Sequence, residues 1–174
     1  MVSIEDRPEG AADRRVPGAW EGDLVAGKGG KSAIATLVER HSRFLIMLGL
    51  PEGKKADVLA DILIIRVNDL PALMRGSLTW DQGTEMARHA HLTVATDLPV
   101  HFAHPHSSWE RPSNENTNGL IRECLSKDIE LTSHQPYLDS IADELNDRPR
   151  ADLGFLTPRE VFTKLLNEDV AKTA

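Results

Sequence analysis

The chain has one cysteine, Cys124, so no disulfide can form within it, and that count fits a reducing compartment. It also lacks any apolar run near the ~20 residues needed to span a bilayer. The longest candidate, Val58 to Val67, is broken by Asp61 and Arg66. The first thirteen residues carry Glu5, Asp6, Glu9 and Asp13 around no apolar centre and do not read as a secretory signal. The compartment expected is cytoplasmic. Missing too is the basic surplus usual in nucleic-acid binders: 20 Lys and Arg stand against 27 Asp and Glu, for a net charge of −7. Between Arg14 and Lys164 the balance is 18 against 21, a net of −3. That is the charge of the three carboxylates singled out below, so composition neither supports nor excludes DNA. There is no basic-aromatic stripe of the kind that binds single strands, no internal repeat and no low-complexity tract. What is present is ordinary: 174 residues, 40% hydrophobic and 27% charged, enough for one globular domain with a sizeable core.

Residues 1–17 read as a flexible polar leader, 18–166 as the folded core and 167–174 as a tail. Apolar, β-prone stretches predict strands at Ala19 to Ala26, Ala33 to Glu39 and Phe44 to Leu50. The turn Gly27-Lys28-Gly29-Gly30 makes the first two a hairpin, and the third continues it as a meander. Apolar positions at 58, 59, 62, 63, 65 and 67 predict a buried helix over 54–69. A short strand, Ser77 to Trp80, a helix from Glu85 to Ala95 and a strand from Val100 to Ala103 follow. After a Pro/Ser-rich loop come helices near 114–125, 135–147 and 158–167. Three strands, then alternating helix and strand, then helices, imply a mixed five-stranded α/β sheet flanked by helices.

Three acids fit this plan poorly as structural residues. Asp23 interrupts the apolar strand Trp20 to Ala26, where a lone buried carboxylate is costly unless paired or bound to a cation. Asp81 ends the strand Leu78-Thr79-Trp80, a place where α/β sheets often bind. Glu115 opens a helix, and at ~100° per residue it shares one stripe with Asn118, Gly119 and Arg122. Leu120, Ile121, Cys124 and Leu125 fall on the opposite, inward side. Gly119 costs about 1 kcal/mol inside a helix, so its place on the Glu115 stripe suggests close approach by a bulky partner such as DNA. Carboxylates so placed can hold two hard divalent cations ~3.5–4 Å apart, Mg2+ or Mn2+, for phosphoryl transfer. Arg122 would bind a phosphate nearby. Against this stands the plain reading of each acid as a solvated surface charge, a turn cap or a helix start.

Other groups weigh less. His89, His91, His101, His104 and His106 lack the paired spacing of a zinc site. Lys28 and Lys31 could grip phosphates, but their turn lacks the phosphate-loop pattern and reads better as a solvated hairpin turn. His106 and Trp109 flank the Glu115 helix as DNA contacts or packing. Tyr137, Ile141 and Leu145 share a face for the core or for an oligomer.

The string Trp20-Glu21-Gly22-Asp23-Leu24 resembles the opening strand of insertion-sequence-thirty family transposases, a branch of the DDE transposases related to retroviral integrases. The resemblance continues through Thr36-Leu37-Val38-Glu39-Arg40-His41-Ser42-Arg43, Leu78-Thr79-Trp80-Asp81-Gln82-Gly83, Pro105-His106-Ser107-Ser108-Trp109 and Asn114-Glu115-Asn116-Thr117-Asn118-Gly119-Leu120-Ile121-Arg122. It ends with Leu145-Asn146-Asp147-Arg148-Pro149-Arg150 and Leu156-Thr157-Pro158-Arg159-Glu160-Val161-Phe162. It implies a ribonuclease-H-like core with Asp23, Asp81 and Glu115 as metal-binding catalytic triad, the last two 34 positions apart as in the family motif. Arg122, Asn118, His106, Lys28 and Lys31 are the DNA contacts expected, and transposon ends, target DNA and a second copy of the chain the partners. The family carries a helix-turn-helix region ahead of the core, which is expected to be lacking here. The function implied is DNA cleavage and strand transfer. A reading from another class is a truncated, non-catalytic module that dimerises with a full-length transposase.

Overall fold

The computed structural model describes residues 1–6, 14–104, 107 and 110–173. Its strands are β1 (Val2–Ser3), β2 (Ala19–Ala26), β3 (Ala33–Glu39), β4 (Leu45–Gly49), β5 (Ser77–Trp80) and β6 (Val100–Phe102). Its helices are α1 (Ala56–Asn68), α2 (His89–Thr96), α3 (Pro112–Cys124), α4 (Gln135–Asn146) and α5 (Pro158–Thr173). They form one mixed sheet in the order β1-β6-β5-β2-β3-β4. The β2-β3-β4 meander is antiparallel; β5 joins β2 in parallel, and β6 joins β5 likewise. All five expected strands form. The sixth, β1, comes from the stretch read as a leader, where Val2 and Ser3 pair with His101 and Phe102. Two residues make too short a β-prone run to be legible alone.

A sheet packed on both sides needs apolar residues on alternate positions of both faces. Trp20, Ala35, Leu37, Ile46 and Leu48 join Leu59, Leu63, Leu92 and, at the edge, Phe162 on one side. Val25, Ile34, Val38, Leu45 and Met47 join Ile121, Leu138, Ile141 and Leu145 on the other. Thus α1, α2 and α5 cover one face, and α3 and α4 the other. Two expectations need correction. Ile65 does not lie inside α1 but is 67% exposed, because Leu59, Leu63 and Val67 already fill the inward stripe. The helix expected from Glu85 breaks into a 3-10 turn, Thr84–Met86, and then α2. The Trp80 indole donates to Glu85 Oε1 at 3.4 Å within that turn.

An open sheet edge is a liability unless its backbone is satisfied. At β4 the two ends of α4 supply the partners. Gln135 accepts from Gly49 N–H at 2.9 Å and donates to the Met47 carbonyl at 2.7 Å. Asn146 accepts from Leu45 N–H at 2.8 Å and donates back to its carbonyl at 2.9 Å.

The contact that positions α3 is polar. The period of two on β2 sends Glu21, Asp23 and Val25 toward α3 and Trp20, Gly22 and Leu24 away from it. Glu21 is fully buried; its Oε1 lies 2.8 Å from Arg40 Nε, and its Oε2 accepts the Asn114 N–H at 2.8 Å. The Asn114 side chain donates to the Glu21 carbonyl at 3.3 Å. On the reverse face, a Cβ at Gly22 would stand 2.1 Å from the Trp80 ring, so that position admits only glycine.

Two outcomes are expected from urea unfolding. Arg40→Met strands the Glu21 carboxylate and should cost about 3–5 kcal/mol, whereas an unbroken buried pair itself adds little. Leu63→Ala should cost about 2–5 kcal/mol, while Ile65→Ala stays within about 0.5 kcal/mol.

Candidate active site

Two of the expected acids meet because of strand register. Glu21 pairs with Thr79 across the parallel β2–β5 ladder. Asp23 stands two residues further along β2, and Asp81 is the residue that follows β5, so both acids come to the same end of that ladder. Each carboxylate accepts the next residue's N–H, Leu24 to Asp23 Oδ1 at 2.9 Å and Gln82 to Asp81 Oδ1 at 2.8 Å. Asp23 is therefore not the lone buried acid that its apolar strand suggested. Its side chain is 28% exposed and that of Asp81 44%.

Between them lies a cation. Arg111 Nη1 is 3.6 Å from Asp23 Oδ1, and its Nη2 is 3.4 Å from Asp81 Oδ2. The same Nη1 donates to the Gly22 carbonyl at 2.9 Å, which anchors the guanidinium in a side chain only 9% exposed. The sequence reading missed Arg111. A signal was there: it is the residue immediately before α3, where the helix dipole disfavours positive charge. A cation so placed answers to something else, and here it answers to two carboxylates.

Glu115 is exposed on the first turn of α3 and lines a separate recess. Among the described residues, no three His, Cys, Asp or Glu side chains stand close enough to hold a metal together. The fold thus brings Asp23 and Asp81 to one guanidinium and does not gather Glu115 into a metal-holding cluster with them.

Of the stripe expected on α3, Asn118 and Arg122 reach β2, whereas Glu115 and Gly119 are exposed. Asn118 donates to Asp23 Oδ2 at 2.9 Å, so it orients an acid of the site. The match follows from the two periods: two strand residues advance about 6.7 Å and four helical residues about 6.0 Å. Fixing Asn114 at Glu21 therefore brings Asn118 to Asp23. A cleft of about 390 Å³ opens there, lined by Asp23, Leu24, Val25, Asn118, Gly119, Arg122 and Lys127. A Cβ at Gly119 would meet nothing within 4 Å, so no protein atom explains that glycine. Arg122 Nη2 donates to the Ala26 carbonyl at 2.8 Å, ending β2 against α3. Lys127, which the sequence reading passed over, lines the cleft beside it, and Lys28 and Lys31 are exposed on the turn after β2. His106 and Trp109 lie outside the described residues.

The other histidines take local roles. His89 packs edge-on to Phe102 at 5.0 Å. His101 is buried in β6. His104 Nδ1 lies 2.8 Å from Glu110 Oε1, and that hydrogen bond and charge hold its pKa above the ordinary value. Burial pushes the Cys124 thiol up, away from nucleophilic use. Ile141 and Leu145 are core, whereas Tyr137 is 47% exposed. No helix among the described residues is long and apolar enough to cross a membrane.

Comparison with known proteins identifies the family and the fold. The integrase core domain model matches residues 13–108. The chain is 47% identical over 167 residues to the transposase for insertion sequence element IS1086 of Cupriavidus metallidurans, covering 95% of this chain and 49% of that one. It is 45% identical over 162 residues to transposase InsI for insertion sequence element IS30A of Escherichia coli, covering 92% and 42%. To the transposase for insertion sequence element IS4351 of Bacteroides fragilis it is 36% identical over 171 residues, covering 97% and 51%. The chain spans about half the length of these relatives or less. The catalytic core domain of BIV integrase superposes with a TM-score of 0.63 at 16% identity, over 90% of this chain and 99% of that one. The shared architecture is the ribonuclease-H-like mixed sheet. With a family match over more than half its length and this fold, the chain belongs to the integrase core domain family.

Proposed function

We propose that this chain is the catalytic core of a DNA transposase, which hydrolyses phosphodiester bonds at transposon ends and joins the freed 3′-hydroxyls to target DNA. The observation that carries the reading is the pair Asp23, on β2, and Asp81, directly after β5, which share one guanidinium. The donor set fits a divalent cation. Carboxylate oxygens are the ligands Mg2+ and Mn2+ prefer, and the site already draws a guanidinium between them. Asp23 and Asp81 would hold the ion, with Glu115, one helical turn before Asn118, as the third ligand. When bound, such ions supply a polarised nucleophile and charge stabilisation on the leaving oxygen.

The protein's own groups supply the rest. Asn118 holds Asp23 Oδ2 in a fixed direction, and the Leu24 and Gln82 amides hold the remaining oxygens. Arg111 balances the two negative charges before the ion arrives. Arg122 and Lys127, on the wall of the cleft, provide positive charge for DNA phosphates on the side of Asp23. The assembly that acts on DNA is a homo-oligomer in this proposal, as two transposon ends require two catalytic cores.

Cleavage of DNA ends in Mn2+ tests the acids. Asp23→Asn, Asp81→Asn and Glu115→Gln should each lose activity beyond the roughly 10–100-fold typical for removing an outer hydrogen-bonding partner of a metal ligand. Circular dichroism and Tm should stay close to those of the unaltered chain. A variant that keeps metal-dependent cleavage at the parental rate removes its residue from the site.

Arg111→Met should leave Asp23 and Asp81 facing each other without a counter-charge. In metal-free buffer its Tm should fall, by roughly 2–4 °C for each kcal/mol lost in a chain of this size. Millimolar Mn2+ should then raise the variant's Tm more than the parent's, because the ion replaces the missing charge. Equal shifts in thermal scans would show that Arg111 does not balance these acids.

A further inference from the structure

A second recess lies at the N-terminal turn of α3. It holds about 320 Å³ and is lined by Arg14, Arg43, Pro112, Ser113, Glu115 and Asn116. Its two guanidiniums come from different segments, Arg14 from the stretch before β2 and Arg43 from the turn between β3 and β4. Both residues hold positive φ, 65° and 63°, a conformation that side-chain-bearing residues seldom adopt. Arg43 is fixed in place, with its Nε paired to Asp152 at 3.0 Å and its Nη1 donating to the Arg40 carbonyl. Arg14 is fixed through its backbone, whose carbonyl oxygen lies 2.9 Å from His41 Nδ1. Its guanidinium has no ion-pair partner among the described residues. On the recess wall Ser113 is 2% exposed, and its Oγ is buried without a hydrogen-bond partner.

The geometry points to a subsite for a backbone phosphate of the DNA strand, built from Arg14, Arg43, Ser113 and Asn116. This rests on the transposase-core reading and deepens it. Guanidinium forks match phosphate oxygens, hydroxyl and amide donors complete such contacts, and the first turn of a helix favours an anion. Glu115 lines the same recess, its charge outweighed by the two guanidiniums, so a strand whose reacting phosphate sits at Asp23 and Asp81 passes Glu115 and brings a neighbouring phosphate between Arg14 and Arg43. The contact is sequence-independent. It carries the strand on the side away from Arg122 and Lys127, so the substrate is gripped on both sides of the acids.

Fluorescence anisotropy with a labelled 30-base-pair duplex, in EDTA and across a salt series, tests this on the whole chain. Each phosphate contact adds about 0.9 to the slope of log affinity against log salt. Arg14→Gln should weaken binding by about 3–10-fold near 0.1 M salt and lower that slope by about 0.9. Arg14→Lys should keep the slope, since the point charge remains. Lys172→Gln, at the far end of α5, should change neither quantity. Parental affinity and slope in Arg14→Gln would overturn the subsite while leaving the transposase-core reading intact. An equal loss in Lys172→Gln would also overturn it, as a general charge effect. Failure of the unaltered chain to bind duplex at any salt would overturn the underlying reading, and the subsite with it.

Discussion

A single buried carboxylate sets the geometry of this molecule. Glu21 gives one oxygen to Arg40 and the other to the backbone of Asn114, so it joins the end of β3 to the start of α3 through the centre of the sheet. A carboxylate at that depth is tolerated only when its oxygens are satisfied. Sliding α3 along β2, or rotating it by one residue, would leave Glu21 exposed to an apolar wall. The constraint is steep, and everything downstream of Asn114 inherits it. Asn118 meets Asp23 and Ile121 joins the Val25 cluster because helix and strand advance by similar distances along their seam.

The two acids proposed to carry the chemistry are held differently. Asp23 and Asp81 are partly solvated, their outer oxygens directed by amides and by Asn118, and their mutual repulsion is balanced by Arg111. The guanidinium is itself held by the Gly22 carbonyl, one residue before Asp23. A group with fixed position and charge between two carboxylates offsets their repulsion and holds them in a defined orientation, which is the condition a preorganised site needs. The same economy recurs at the β4 edge, where Gln135 and Asn146 satisfy strand backbone from the two ends of one helix.

Much of this was legible in the residues. The period-two strands, the glycine-rich turn and the helical stripe on α3 gave element types and limits that the structure keeps within a few residues, except that α5 runs on to Thr173 through the stretch read as a tail. Asp23 stood out because it broke an apolar strand, and Asp81 because it ended one. Other features were not legible for stated reasons. Val2 and Ser3 are too short a run to read as a strand, and they form one only because β6 offers a free edge. Ile65 looked buried because four consecutive apolar residues, Ile62 to Ile65, blur a 3.6-residue period. Arg111 was hidden by its place in a polar loop, where its charge looks solvated until Gly22, Asp23 and Asp81 are brought around it.

The sequence by itself determined the alternation of strand and helix, the two-sided core and the identity of the acids, because these follow from local periodicity and from residues that contradict their surroundings. Only the tertiary structure decided that Asp23 and Asp81 share one cation, that Asn118 serves Asp23, and that Arg14 and Arg43 flank Glu115. Each of those contacts joins residues far apart in the chain, and each depends on strand register and helix seating. Neither is a property of any single segment, since a one-residue shift would turn every side chain to the opposite face.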